Sequence, residues 1–292
     1  MKNNRKTTAY IYTAFRKYTG IFVLLTIFGS VLPKDGLLAQ GSLLLTPKRV
    51  IFEGSKTSEA INLANVGKDT ARYVISLVEY RMKADGGFEE ITQQEAGQYS
   101  AEPYLRYFPR TVTLAPNQAQ LIRIQLTKKP AQMAAGEYRS HLYVRAVPKP
   151  TPMGEKESVT ADIGVKLVPV FGLSIPVIIR VGESHTGTSI TGLSLTASET
   201  DPYNLSLSLN RSGNMSIYGD IYVKHMAPNG KSTDVGVVKG LAVYSPNPIR
   251  YIQLPLEKNK MVNYHTGTLV TRFVANVDGK DKKITEAELV LH

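Results

Sequence analysis

Histidine is the first residue to weigh for chemistry, because imidazole serves both as a metal ligand and as a general base near neutral pH. The five here, His141, His185, His225, His265 and His292, are scattered, with no HExxH pair and no cluster at metal-ligand spacing. A lone histidine in a strand-like run such as SHLYV, where His141 sits, reads as a satisfied structural residue. NGKST (Asn229 to Thr233) ends like a phosphate loop, but that loop needs a glycine five positions before Gly230, where His225 stands. GTSITG (Gly187 to Gly192) is not GxSxG, and VDGKDK (Val277 to Lys282) lacks the acidic spacing of a calcium loop. Glu89 and Glu90 are adjacent, so on a strand they face opposite sides and make poor acid/base partners. With no cysteine in the chain, a thiol nucleophile and a Cys-ligated metal are excluded. The residues therefore predict no catalytic group, no metal and no cofactor, that is, not an enzyme.

One placement of charge does ask for a reason. In TPKRVIFEGSKTSEAINLANVG (Thr46 to Gly67), Lys48 and Arg49 lie directly against apolar strand formers. Alternation puts Val50 and Phe52 on one side of such a strand and Arg49 with Ile51 on the other. Arg49 can then be aimed away from the core.

The elements that position it read as strands. LLLTPKRVIFEG, EAINLANVG, ARYVISLVEYRM, YLRYFPRTVTLAPN, QLIRIQLT, EYRSHLYVRAVP and VTADIGVKLVPVFGLSIPVIIRV follow one another between turn residues. About seven strands in this stretch is the pattern of a β-sandwich. NVGKD, ADGG and LAPNQ supply turns, and only ITQQEAGQ (Ile91 to Gln98) leans helical, as a loop with one turn of helix. After the Gly/Ser/Thr-rich GESHTGTSITG comes a second set: LSLTAS, NLSLSLN, MSIYGDIYVKHM, TDVGVVKGLAVY, IRYIQLPL, TGTLVTRFVANV and ITEAELVL. A domain boundary is expected near residue 183. The turn glycines Gly67 and Gly86 are 19 apart and Gly213 and Gly230 are 17 apart, an echo that duplication and chance explain equally well.

At 292 residues, 42% apolar and 20% charged, the chain is long enough for two cored domains. Its first 39 residues carry Lys2, Arg5, Lys6, Arg16 and Lys17 before the apolar run IFVLLTIF, and Ala39 follows. These are the features of a secretory signal with cleavage before Gln40, an uncleaved anchor being the alternative. Residues 1–39 hold six basic residues and one acid, so the formal charge falls from +11 to +6 without them. No dense Lys/Arg block with interleaved aromatics remains to suggest nucleic acid.

The first domain resembles the N-terminal domain of the periplasmic pilus-assembly chaperones, the PapD-like family, in an ordered set of segments. These are KRVIFEG (Lys48 to Gly54), INLANVG (Ile61 to Gly67), YVISLVEY (Tyr73 to Tyr80), FPRTVTLAPNQAQLIRI (Phe108 to Ile124) and EYRSHLYVRAVP (Glu137 to Pro148). The second is similar to the family's C-terminal sandwich, chiefly through NLSLSLNRSGN. The resemblance implies an all-β protein: two immunoglobulin-like sandwiches in tandem, in a boomerang arrangement, with residues 1–39 a signal peptide, 40–182 the chaperone domain and 183–292 the C-terminal domain. It implies a periplasmic protein that caps pilin-like or other secreted envelope subunits by lending a strand to their open sheet edge, with an outer-membrane assembly protein as a further candidate partner. The lending strand would be VTADIGVKLVPVFGLSIP (Val159 to Pro176), with Ile163, Val165 and Leu167 alternating as donors, although an ordinary half-buried strand alternates in the same way. The family's two cleft cations hold the subunit's C-terminal carboxylate, and Arg49 falls on the arginine. The lysine does not match: Phe171 stands at the expected place, and Lys166 is the only lysine in the strand. The alternative is a structural or adhesive envelope protein that uses the same sandwiches as a surface.

Overall fold

The computed structural model describes residues 43–93, 96–148, 170–197, 203–259, 261–277 and 280–292. The expected signal, the loop at 149–158 and the donor residues Ile163, Val165, Lys166 and Leu167 lie outside the described residues. All the described residues belong to one compact unit, Gln40–His292.

The first segment does not form one continuous strand. Leu43–Thr46 is β1 and Val50–Phe52 is β2, and the two belong to different sheets. Pro47 between them has no N–H to give to a ladder, so the chain leaves one sheet there and joins the other. Then come β3 (Ser58–Asn65), β4 (Ala71–Val78), β5 (Tyr80–Met82), β6 (Phe88–Glu90), β7 (Leu105–Phe108), β8 (Thr111–Leu114), β9 (Ala119–Leu126), β10 (Gly136–Ala146) and β11 (Gly172–Val181). One sheet is ordered β1-β3-β9-β7 and the facing one β2-β11-β10-β4-β8, the immunoglobulin partition of strands between two sheets. Between them lies a core of Phe52, Ile61, Leu63, Tyr73, Ile122, Ile124, Leu142 and Val177. β5 and β6 form a separate hairpin.

The second sandwich comprises β12 (Gly187–Thr196), β13 (Asn204–Ser212), β14 (Ile217–Met226), β15 (Ser232–Val243), β16 (Ile249–Pro255), β17 (Gly267–Val277) and β18 (Lys280–Leu291). Its sheets are β12-β13-β16 and β15-β14-β17-β18. The alternation in NLSLSLN is realised directly: Leu205, Leu207 and Leu209 are buried, alongside Ile221, Val223, Leu269 and Phe273. The protein is thus all-β, with two immunoglobulin-like sandwiches.

Two local expectations are corrected. The stretch Ile91 to Gln98 has no helix among its described residues, because Gly97 takes φ 81° and Gln98 Nε2 donates to Tyr80 O at 3.2 Å. GTSITG, grouped with the linker, opens β12, where Asn210 on the neighbouring strand ties its hydroxyls by donating to Thr191 Oγ1 at 2.9 Å.

Candidate functional site

The faces of three strands define the site. On β11, Ile175, Val177 and Ile179 enter the first core, so Ser174, Pro176, Ile178 and Arg180 point the other way. On β10, Leu142 and Val144 are in the core and Glu137, Arg139 and His141 face out with them. On β2, Val50 and Phe52 are buried and Arg49 with Ile51 faces out. This outward side meets the second sandwich: Met82, Ile178, Ala242 and Tyr244 form a small buried cluster shared by both.

β11 is only partly covered at its outer edge. β10 pairs with it from Gly172 to Val181, whereas β2 pairs in parallel with Val177 to Ile179 alone. The five residues from Gly172 to Pro176 therefore have no strand partner on that side among the described residues. Apolar side chains sit on and beside this open stretch: Val170 is 43% exposed, Phe171 47% and Leu173 43%. An unpaired, apolar edge is a template for another strand.

Arg49 stands where the open stretch ends and β2 begins. Its guanidinium lies 3.9 Å from the centre of the Tyr218 ring. It lines a cavity of about 440 Å³ with Ile51, Arg180, Ser216, Tyr218 and Phe273. Arg49 Nε is buried without a hydrogen-bond partner, and no carboxylate among the described residues pairs with the side chain. Burial holds its pKa below the ordinary arginine value, and nearby Arg180 pushes in the same direction. Arg180, the other cation of the cavity, is already compensated: Nε donates to Glu137 at 3.2 Å and Nη2 to Ser216 O at 3.0 Å. Buried Glu137 also accepts from Ser216 N at 3.0 Å and from the Ser216 hydroxyl. One guanidinium is paired and one is not, which is the electrostatic requirement for a carboxylate site.

Arg49 thus faces the second sandwich, as the alternation of its strand predicts. Phe171, at the position where the resemblance calls for a lysine, is exposed immediately before β11, and Ile163, Val165, Lys166 and Leu167 are outside the described residues. Arg180 is a site residue that the sequence reading misses. It stands opposite Glu53 only because β2 runs parallel to β11, a pairing no local pattern in the sequence announces.

His141 is the second correction at this junction. It is 3% exposed, and its Nδ1 has no hydrogen-bond partner among the described residues, so it is not a satisfied structural residue. Tyr80 and Phe88 approach it edge-on at 5.1 and 5.5 Å, and its pKa is pushed down to about 3, first by burial and then by Arg139. Arg139 itself donates to Ser245 O at 3.1 Å and lies 4.3 Å from the Tyr244 ring centre, bridging the two sandwiches. Arg211 donates to the main-chain oxygens of Asn247 (2.8 Å), Gly213 (2.7 Å), Pro246 (3.1 Å) and Met215 (3.2 Å). Among the described residues no three His, Asp or Glu side chains converge as a metal site.

No family model and no curated protein matches the sequence. Solved structures do. A chaperone–tip adhesin complex of CFA/I fimbriae biogenesis matches at 14% identity over 86% of this chain and 98% of that one, with a TM-score of 0.42. The YadV chaperone matches at 14% identity over 85% and 99%, TM-score 0.42. The CsuC–CsuE chaperone–tip adhesion subunit pre-assembly complex of Acinetobacter baumannii matches at 12% identity over 84% and 98%, TM-score 0.41. What this chain does has to follow from its own residues.

Proposed function

We propose that the protein is a periplasmic chaperone that holds incomplete, pilin-like envelope subunits by lending them the open edge of β11. The observation that carries this reading is the five-residue unpaired stretch Gly172 to Pro176, which ends at the uncompensated guanidinium of Arg49. A client strand laid on this edge gains main-chain hydrogen bonds, and exposed Phe171 and Leu173 offer alternate side chains to an open client groove. Ile163, Val165 and Leu167 share their odd-numbered register in the sequence and extend the same donor set. Because β2 occupies the edge from Val177 onward, an added strand has to stop at Arg49, where its terminal carboxylate meets the unpaired guanidinium. Capture of this kind requires neither cofactor nor catalysis.

Native co-purification from the envelope, comparing the wild-type chain with Arg49→Ala, tests the reading. The expected result is a soluble complex with a subunit that is unstable alone, lost in the variant. Recovery of the free protein only, or of the wild type in the fibre or outer-membrane fraction, would replace this reading with a structural or adhesive role.

A further inference from the structure

A second cavity of about 230 Å³ lies on the same side of β11. Met82, Phe88, His141, Tyr244 and Arg250 line it, together with Ser174 and Pro176. We propose that it is a second anion subsite of the junction, one that takes an acidic side chain, glutamate in the first instance, from the bound client strand. This rests on the strand-capture reading above.

The chemistry is that of an unfilled acceptor position. Arg250 Nη1 donates to Ala242 O at 2.9 Å, but its Nε is buried without a partner, and no carboxylate among the described residues pairs with the side chain. His141 Nδ1 is the other buried nitrogen of this cavity that lacks a partner. Burial of an unpaired donor such as Arg250 Nε is costly, and an oxygen that satisfies it recovers that cost, with His141 Nδ1 as a second donor in the tautomer that carries its proton there. A carboxylate fits better than a neutral acceptor because Arg250 is a half-buried cation and Arg139 adds positive charge behind His141. Ring edges from Phe88 and Tyr244, whose centroids are 6.2 Å apart, suit the methylenes of a glutamate stem.

The guanidinium is steadied by its bond to Ala242 O and packs closely on a glycine. Gly86, at φ 86° in the β5–β6 turn, lies so close that a Cβ there would clash with the Arg250 guanidinium. Only glycine leaves room for Arg250 in this position. The cavity is also where a client residue would look. Ser174 and Pro176 are the residues of the open stretch that point toward it, and residues opposite one another in a ladder share a face. An added strand therefore runs beside Ser174 and Pro176, and a long side chain on its face toward the second sandwich reaches the cavity across β11, just before the strand's end reaches Arg49.

The test has two arms on the full chain. In the first, glutarate is titrated while the ring resonances of His141 are followed by NMR. In the second, extended peptides with valine at alternate positions and a free C-terminus are compared when one intervening residue is Glu, Gln or Phe. The expected result is a saturable glutarate shift at His141 that Arg250→Gln abolishes. With it goes about a tenfold preference for a Glu over a Gln peptide, as one charge-assisted hydrogen bond gives, falling to unity in Arg250→Gln and in His141→Phe. Peptides that bind through Arg49 with no Glu preference, or with Phe preferred, overturn the subsite and leave strand capture standing. Glutarate binding at His141 when none of the peptides binds overturns strand capture, and the client as the source of the carboxylate with it.

Discussion

Replacement of His141 by phenylalanine should change how stability depends on pH. The imidazole is buried beside Tyr80, Phe88 and Tyr244, with Arg139 as its nearest charge and Arg250 lining the same cavity, so the folded state refuses a proton until about pH 3. An unfolded chain accepts that proton near the ordinary histidine value of 6.5. Because the folded pKa is depressed, this group leaves stability whole above about pH 6.5 and erodes it as pH falls toward 3, where the loss levels off. Each pH unit between those limits is worth about 1.4 kcal/mol, so moving from pH 7 to pH 5 costs roughly 2 kcal/mol through His141 alone. Urea titrations of the wild type and of His141→Phe at both pH values isolate the contribution, since the remaining titrating groups are common to the two proteins. The wild type should lose about 2 kcal/mol more than the variant over that interval. Equal losses would mean that His141 is hydrated or paired when folded, and the account of the cavity around it would be wrong.

Arg49→Ala should abolish client capture in a pull-down while shifting chemical stability by no more than about 1 kcal/mol, since its Nε has no hydrogen-bond partner and the side chain no ion pair among the described residues. Glu137→Ala removes the buried carboxylate that Arg180 and Ser216 share, leaving part-buried Arg180 only Glu53 at 4.0 Å, and should cost about 2–3 kcal/mol in urea unfolding. Leu173→Asp, on the open edge, should lower capture with little change in melting temperature, whereas Phe273→Ala in the second core should cost about 3–5 kcal/mol. Asn65→Ala should cost about 2–3 kcal/mol, read from equilibrium unfolding. Its buried amide donates to Asp69 O at 2.7 Å and Leu114 O at 3.0 Å, and its Oδ1 accepts from Gly67 N at 3.0 Å.

Most strands are legible in the sequence because one face of each is buried, and alternation records that directly: Leu205, Leu207 and Leu209 alternate as simply as any pattern can. The orientation of Arg49 follows from the same period of two. Parallel pairing of β2 with β11 is not legible, since a three-residue strand carries no signal of its partner, and the compensation of Arg180 is hidden with it. The break at Pro47 is available in principle, because a proline between two apolar runs argues against one strand. His141 looks ordinary in the sequence because its neighbours Tyr80, Phe88 and Tyr244 come from distant parts of the chain. The 91–98 stretch and β12 show the opposite failure, in which a Gln/Glu/Ala run suggests a helical turn and small polar residues a linker, where longer-range hydrogen bonds take over.

The arginines at the junction share a habit with an evolutionary side. Arg139 bonds to Ser245 O, Arg180 to Ser216 O, Arg250 to Ala242 O and Arg211 to four carbonyls, all of them main-chain atoms. Every amino acid carries that oxygen, so no point substitution deletes one of these acceptors, and apart from Glu137, which gives Arg180 a side-chain acceptor, the partner positions are free to drift in side-chain identity wherever the backbone path survives. A mutational scan of this region would register the arginines as indispensable and most of the residues they hold as replaceable. The arrangement can outlast the sequence that first built it.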